Sequence, residues 1–219
     1  MDKPLSLTLR YSANIAGELA LLPRLHTLLQ RLDAADGSRA LLLDLGGSCA
    51  ESAWHCRATG GRSALIVLDG MGYHAANVAG ALDAENRDKL SEQITMALVD
   101  GARDWAYNVP PVRDPGIVVT LRPRLLNGAA LLQIALTPAT ETRLDANVLW
   151  LRGVGAGQVG EAVVDLRGAP RLVSVTTHAL PADTPPNPTI AGAVEFVEAE
   201  ARYYQRQQAS REKTYHRGK

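Results

Sequence analysis

The sequence predicts an α/β fold on two observations. Short apolar runs alternate with helical patterns through the first hundred residues, and beyond residue 116 five β-like runs are divided by Gly, Pro, Asn or Asp. Residues 5 to 11 open with a strand pattern. "GELALLPRLHTLLQRLDAADG" then sets Leu21, Leu22, Leu25, Leu28, Leu29 and Leu32 at helical spacing, with Pro23 in an early turn, and stops at Asp36-Gly37. "SRALLLDLGGS" reads as a buried strand ending in a glycine turn, "GGRSALIVLDGMG" as a helix and "YHAANVAG" as a short strand. In "DAENRDKLSEQITMALVDGARDWA", Leu90, Ile94 and Leu98 share one face of an amphipathic helix, and "NVPPVRDPG" is a proline-rich connection.

The later runs are "GIVVTLR", "AALLQIALT", "NVLWLRG", "GEAVVDLRG" and "RLVSVTTHAL", the last two joined through "RGAP" as a hairpin. "GVGAGQVG" at 153 to 160 has a glycine pattern but no following helix to receive a pyrophosphate, so it reads as a hairpin or bulge. After the extended "PADTPPNP", Asn187 as N-cap and Pro188 at the first position start a final helix. The expected organisation is one domain over 1–219, with an α/β half at 1–105, a mainly β half at 116–180, a helix at 187–210 and a basic tail at 211–219. From Arg202 onward six Lys or Arg face one acid, Glu212, with Tyr203, Tyr204 and Tyr215 interleaved. A solvated helix end is the simpler reading, and a contact surface for an acidic partner or RNA the alternative.

Lys plus Arg equals Asp plus Glu at 23 each, so no global field favours nucleic acid, and the apolar stretches are too short to span a bilayer. The first twenty residues lack a signal-peptide core, which makes the cytoplasm the default, or the periplasm or exterior if a leader has been removed. Cys49 and Cys56 are expected as free thiols, because a bridge requires a loop that brings them within about 7 Å. "CAESAWHC" groups both with His55, yet no second pair at zinc-ligand spacing accompanies them. Ser48 lacks a nucleophile-elbow frame and reads as a cap or turn serine.

Three blocks carry a family resemblance. "LTLRYSANIAG", "LLLDLGGS" and "DGMGYHAANVAGALD" resemble, in frame and spacing, the "LTILHTNDIHG", "LLLDAGDS" and "NAMGYDAVTLGNHEFD" of calcineurin-like metallophosphoesterases in their 5'-nucleotidase branch. A further block, "IALTPATETRLDANVLWLRGVGAGQVGEAVVDL", is similar in shape to that branch's "IIGGHTHTRL" and the strands after it. The resemblance implies a metallophosphatase-like four-layer αββα sandwich with two mixed β-sheets, shortened between about 91 and 130. The branch's separate C-terminal domain has no counterpart in these residues.

In that family the turns hold two divalent metals, which lower the pKa of a water and clamp phosphate oxygens. Here the first Asp position is Asn14 and the first His is Ala16. The second-turn Asp is Gly47, and the third-turn Asn and His are Gly80 and Ala81. Two later histidines fall on Ala139 and Glu141, and Pro123 takes another His position. Asp44 is expected as an acceptor for turn amides, His74 as a partly exposed strand-end residue, and Glu141 with Asn14 as too few oxygen donors for Mg²⁺ or Ca²⁺.

The resulting expectation is a vestigial pocket of Asn14, Ala16, Asp44, Gly47, Gly80, Ala81 and Glu141, with no catalytic residue and neither of the family's two metals. The chain then reads as a catalytically inactive binding, scaffolding or regulatory subunit for a protein partner or small ligand, without nucleic acid and possibly homo-oligomeric. The competing reading is a metal-dependent phosphoesterase with an unconventional or relocated site.

Overall fold

In the first strand, β1 (Ser6–Ser12), Leu7, Leu9 and Tyr11 point to one face and Arg10 and Ser12 to the other, as the two-residue period of a strand requires. Both faces are buried. β2 (Leu41–Asp44) does the same, with Leu41 and Leu43 on one side and Leu42 on the other. The structure is a computed structural model that describes residues 6–37, 39–108, 116–124 and 130–217, with side chains up to residue 210.

Between these strands runs α1 (Leu22–Asp36), entered through a 3₁₀ turn at Leu19–Leu21 and closed by Gly37, whose φ of 64° only glycine adopts freely. Leu22, Leu25, Leu28 and Leu29 form its buried stripe. Two helices follow β2, α2 (Trp54–Ala58) and α3 (Arg62–Gly70), and lead to β3 (Ala75–Asn77). Then come α4 (Ala84–Ser91), β4 (Ala97–Val99), β5 (Trp105–Tyr107), β6 (Ile117–Thr120), β7 (Leu132–Ala139) and β8 (Arg143–Asp145). β9 (Val148–Arg152), β10 (Gln158–Asp165), β11 (Arg171–Ala179) and α5 (Pro188–Arg217) complete the chain.

The strands form a six-stranded sheet in the order β11-β10-β1-β2-β3-β4 and a five-stranded sheet in the order β5-β6-β7-β9-β8. Both are mixed: β1 to β4 run parallel, β10 pairs antiparallel with β1 and β11 antiparallel with β10, and β6, β7 and β9 run parallel between antiparallel edges. One core, including Leu9, Leu43, Ile134 and Leu149, lies between the sheets. A second lies between the first sheet and α1, α3, α4 and α5. This is the expected sandwich of two mixed sheets in shortened form.

Arg10, 1% exposed, ties the helical layer to its sheet: its Nε donates to Glu161 on β10 at 2.7 Å, and its other nitrogens pair with Asp33 and Asp36 of α1. Tyr11 lies over Gly160, its cross-strand partner, where a Cβ would come within 2.1 Å of the ring. Only glycine leaves room for that ring.

Several expectations are corrected. The long helix at 83–106 ends at Ser91, and Ala97–Val99 joins the sheet instead. Asp69 causes the break: its Oδ1 accepts from the backbone of Thr95 at 2.9 Å and of Met96 at 2.8 Å, catching the chain and turning it beside β3. The apolar spacing of Leu90, Ile94 and Leu98 is real, but helix and strand share it. "GVGAGQVG" is not a hairpin or bulge. It carries the chain from β9 in one sheet to β10 in the other, because β7 and β8 already occupy both edges of β9.

The short strands β5 and β8 were not anticipated. β8 returns to β9 through Ala146, whose φ of 53° stands where a glycine signal is normally sought. The expected hairpin between β10 and β11 is present, and Asn187 caps α5 through Ile190 N–H at 3.1 Å. That helix continues to Arg217, beyond the expected end at 210. Most of "NVPPVRDPG" and the side chains of the basic tail lie outside the described residues.

Candidate functional site

The carboxyl ends of parallel strands are where open α/β sheets place their ligand crevice, because the connections diverge there. At this end the turns after β1 and β2 are zipped together by backbone hydrogen bonds. Asn14 N–H donates to Gly46 O at 2.9 Å, Ala16 N–H to Gly47 O at 2.7 Å and Gly17 N–H to Ser48 O at 2.8 Å. Asn14 and Ala16 both hold left-handed conformations, with φ of 55° and 54°. Such a turn is tolerable for Asn and strained for Ala.

Asn14, Ala16, Asp44 and Gly47 are thus brought together. A Cβ on Gly47, whose φ is 73°, would sit 2.9 Å from Asn14 Oδ1 and 3.2 Å from Asn14 Cα, so a side chain there would strain the backbone and displace the Asn14 amide. Asn14 spends its amide on the second sheet's exit: Nδ2 donates to Val154 O at 3.0 Å. Asn77, which the sequence analysis did not single out, does the same from β3, donating to Leu45 O at 3.0 Å and Leu136 O at 3.3 Å. Two asparagines therefore staple the sheets across their strand ends. The signal available in sequence was an amide directly after an apolar strand.

Asp44 is fully buried beneath these turns. Its carboxylate accepts from Ser48 Oγ at 2.5 Å, Ser12 Oγ at 3.2 Å and Gly46 N–H at 3.1 Å. Burial raises its pKa to about 6, and those hydrogen bonds pull the other way. His74 precedes β3 and accepts from Leu42 N–H through Nδ1 at 3.0 Å; burial lowers its pKa. That bond requires an unprotonated Nδ1.

The remaining positions lie elsewhere. Glu141 is exposed in the turn between β7 and β8. Gly80 and Ala81 line a cavity of about 350 Å³ with Cys49, Cys56, Arg57 and Asp83. A larger hollow of about 640 Å³ opens on the other side, lined by Gly17, Glu18, Arg24, Trp54, His55 and Glu198.

Between the two hollows lies a cluster that the sequence reading only grazed. Cys49 and Cys56 are not free thiols but a disulfide, their Cα atoms 5.7 Å apart. The glycine turn after β2 and the short α2 fold the segment back on itself, which supplies the approach that spacing alone did not reveal. His55, 5% exposed, places Nε2 2.9 Å from Gly17 O and Nδ1 2.7 Å from Ser63 Oγ. A carbonyl only accepts, so Nε2 carries the proton, and in the neutral ring Nδ1 presents its lone pair toward Ser63 and the sulfurs.

The strand-end crevice of a two-sheet α/β sandwich thus carries one buried carboxylate and two engaged amides. Solved structures share this sandwich. Over 95% of this chain and 61% of its own length, the NAD nucleotidase NadN of Haemophilus influenzae superposes with a TM-score of 0.54 at 9% identity. The sulfate thiohydrolase SoxB of Thermus thermophilus, solved in complex with glycerol, superposes over 91% of this chain and 62% of its own with a TM-score of 0.62 at 12% identity. At such identities the likeness is one of fold. The chain spans about three fifths of the length of these neighbours. No protein-family model matches the sequence, and no curated protein matches it. Among the described residues no helix is long and apolar enough to cross a membrane.

Proposed function

We propose that this chain is a metallophosphoesterase-like sandwich without the two-metal hydrolytic centre, acting as a binding or regulatory subunit for a small ligand or protein partner. One observation carries the reading: the strand ends are closed by their own hydrogen bonds. A bimetal site needs several carboxylate and imidazole donors with free lone pairs and an open water position. Asp44 already accepts three bonds, Asn14 and Asn77 point amide nitrogens at carbonyls, and at Gly47 a donor side chain would meet a positive φ and crowd Asn14. These residues do not fit a pair of divalent ions, and no step is derived through such a pair. Fold and site rest on different residues, so a sandwich persists when its ligands are replaced.

The direct test is turnover of a generic phosphate monoester and of a 5'-nucleotide in added Mn²⁺, with Asp44→Asn as control. The reading expects release of phosphate no faster than in buffer, for wild type and variant alike. Metal-dependent turnover abolished by Asp44→Asn or Asn14→Ala would overturn it and restore the phosphoesterase reading.

A further inference from the structure

The cluster of Cys49, His55, Cys56 and Ser63 is separate from the strand-end turns, and its geometry carries a site of its own. Its four side chains come from the post-β2 turn, α2 and α3, and the sulfur and imidazole ligand atoms lie within 4.8 Å of one another. Ser63 Oγ is 3.3 Å from Cys49 Sγ, 3.6 Å from Cys56 Sγ and 2.7 Å from His55 Nδ1, while Cys56 Sγ is 3.7 Å from that same nitrogen. Donors around a tetrahedral Zn²⁺, with Zn–S of about 2.3 Å and Zn–N of about 2.0 Å, stand roughly 3.3 to 3.8 Å apart. Three of these four separations already fall in that range. The fourth, Ser63 Oγ to His55 Nδ1 at 2.7 Å, must lengthen, and the sulfurs must move apart once their covalent link is opened.

We propose that reduction of the Cys49–Cys56 disulfide creates a Zn²⁺ site with Cys49 Sγ, Cys56 Sγ and His55 Nδ1 as ligands and the Ser63 hydroxyl at the fourth position. The chemistry balances with a dithiol as reductant: its two thiols become a disulfide, and the bridge here takes up two electrons and two protons as two thiols. Zn²⁺ then displaces both protons from sulfur, and the sulfurs separate to ligand distance.

Three features prepare the site. The Nε2–H bond to Gly17 O fixes the tautomer whose Nδ1 lone pair a metal takes, which is the usual outer-shell arrangement of a ligating histidine. Ser63 and Cys56 are buried, giving the dry surroundings in which thiolate-metal bonds persist. Cys49 and Cys56 line the 350 Å³ cavity, an entry path for ion and reductant, with Arg57 at its wall to favour thiolate. The disulfide is then the closed state of the site, and the redox poise of the compartment decides which form prevails.

The test uses the full chain, reduced anaerobically with a phosphine that does not compete for metal, and Co²⁺ as the probe. The expected result is one Co²⁺ per chain with thiolate-to-cobalt charge-transfer absorption and tetrahedral visible bands, displaced by Zn²⁺ and absent from the unreduced protein. His55→Ala should weaken binding by about tenfold or more, since even loss of an outer-shell partner typically costs that much. Should that variant fail to fold, alkylation of the wild type decides the question: Zn²⁺ should protect both thiols of the reduced chain from modification read by mass. A reduced chain without the thiolate signature or without such protection, or a Cys49→Ser/Cys56→Ser chain with the same Co²⁺ uptake as wild type, overturns the proposal.

Discussion

Two neighbouring regions of this molecule divide its polar chemistry differently. At the strand ends, Asn14, Asp44 and Asn77 are engaged in hydrogen bonds that hold the sheets and turns together, and a side chain at Gly47 would crowd Asn14 at a positive φ. One turn away, His55 and Ser63 gather around a pair of sulfurs that face a cavity. The first region fixes structure and the second retains groups that can exchange protons, electrons or a metal. The crevice that the fold favours is therefore the one whose polar groups are already engaged.

The sharpest way to break the comparison is to put a donor back. Gly47→Asp places a side chain at φ of 73° and 2.9 Å from Asn14 Oδ1. We expect a loss of about 4 kcal/mol in denaturant unfolding, from backbone strain and a close contact together, and no gain of Mn²⁺. A variant as stable as wild type that takes up metal would show that the crevice tolerates ligands.

Asp44 comes next. Its pKa is raised to about 6 from an ordinary carboxyl value near 3.9, so its contribution is complete below the unfolded value and is lost as pH rises through about 6. Relative to wild type, Asp44→Asn should therefore gain about 3 kcal/mol in unfolding free energy between pH 4 and pH 8. A difference that stays flat across that range would place this carboxyl in contact with water. His74 acts with the opposite sign: its lowered pKa makes its contribution complete above about 6.5 and lost as pH falls, so the Asp44→Asn chain should weaken on acidification through that value.

Smaller effects follow in the second region and at its border. The Cys49–Cys56 bridge closes a loop of eight residues, and opening it should cost about 2.5 kcal/mol on a chain-entropy account, read as a lower unfolding midpoint in reductant. Added Zn²⁺ should return part of that loss in the reduced wild type and none in Cys49→Ser/Cys56→Ser. Ala16→Gly should stabilise by about 1 kcal/mol, since glycine adopts its φ of 54° without the Cβ penalty. A destabilised Ala16→Gly would mean that the methyl group, not the turn, matters there.

Much of the frame was legible because periodicity is a local property. The leucine stripe of α1, the buried β1 and β2, the Asn187-Pro188 start of α5 and the β10–β11 hairpin all follow from residues a few positions apart. What escaped depends on partners distant in sequence. Asp69 stops α4 by binding a backbone 26 residues away, and β10 joins β1 across 151 residues through the same register that sets Arg10 against Glu161. In the site, the small residues Ala16, Gly47, Gly80 and Ala81 were visible one by one, whereas the role of Asn77 and the meeting of Cys49 with Cys56 required the turns to be folded.

The strand ends are proposed to hold no two-metal centre. This is measured directly as the metal content of the oxidised 219-residue chain after equilibration with excess Mn²⁺ and removal of unbound ions. We expect far less than one Mn²⁺ per chain, unchanged by Asp44→Asn; two tightly held ions per chain would contradict this.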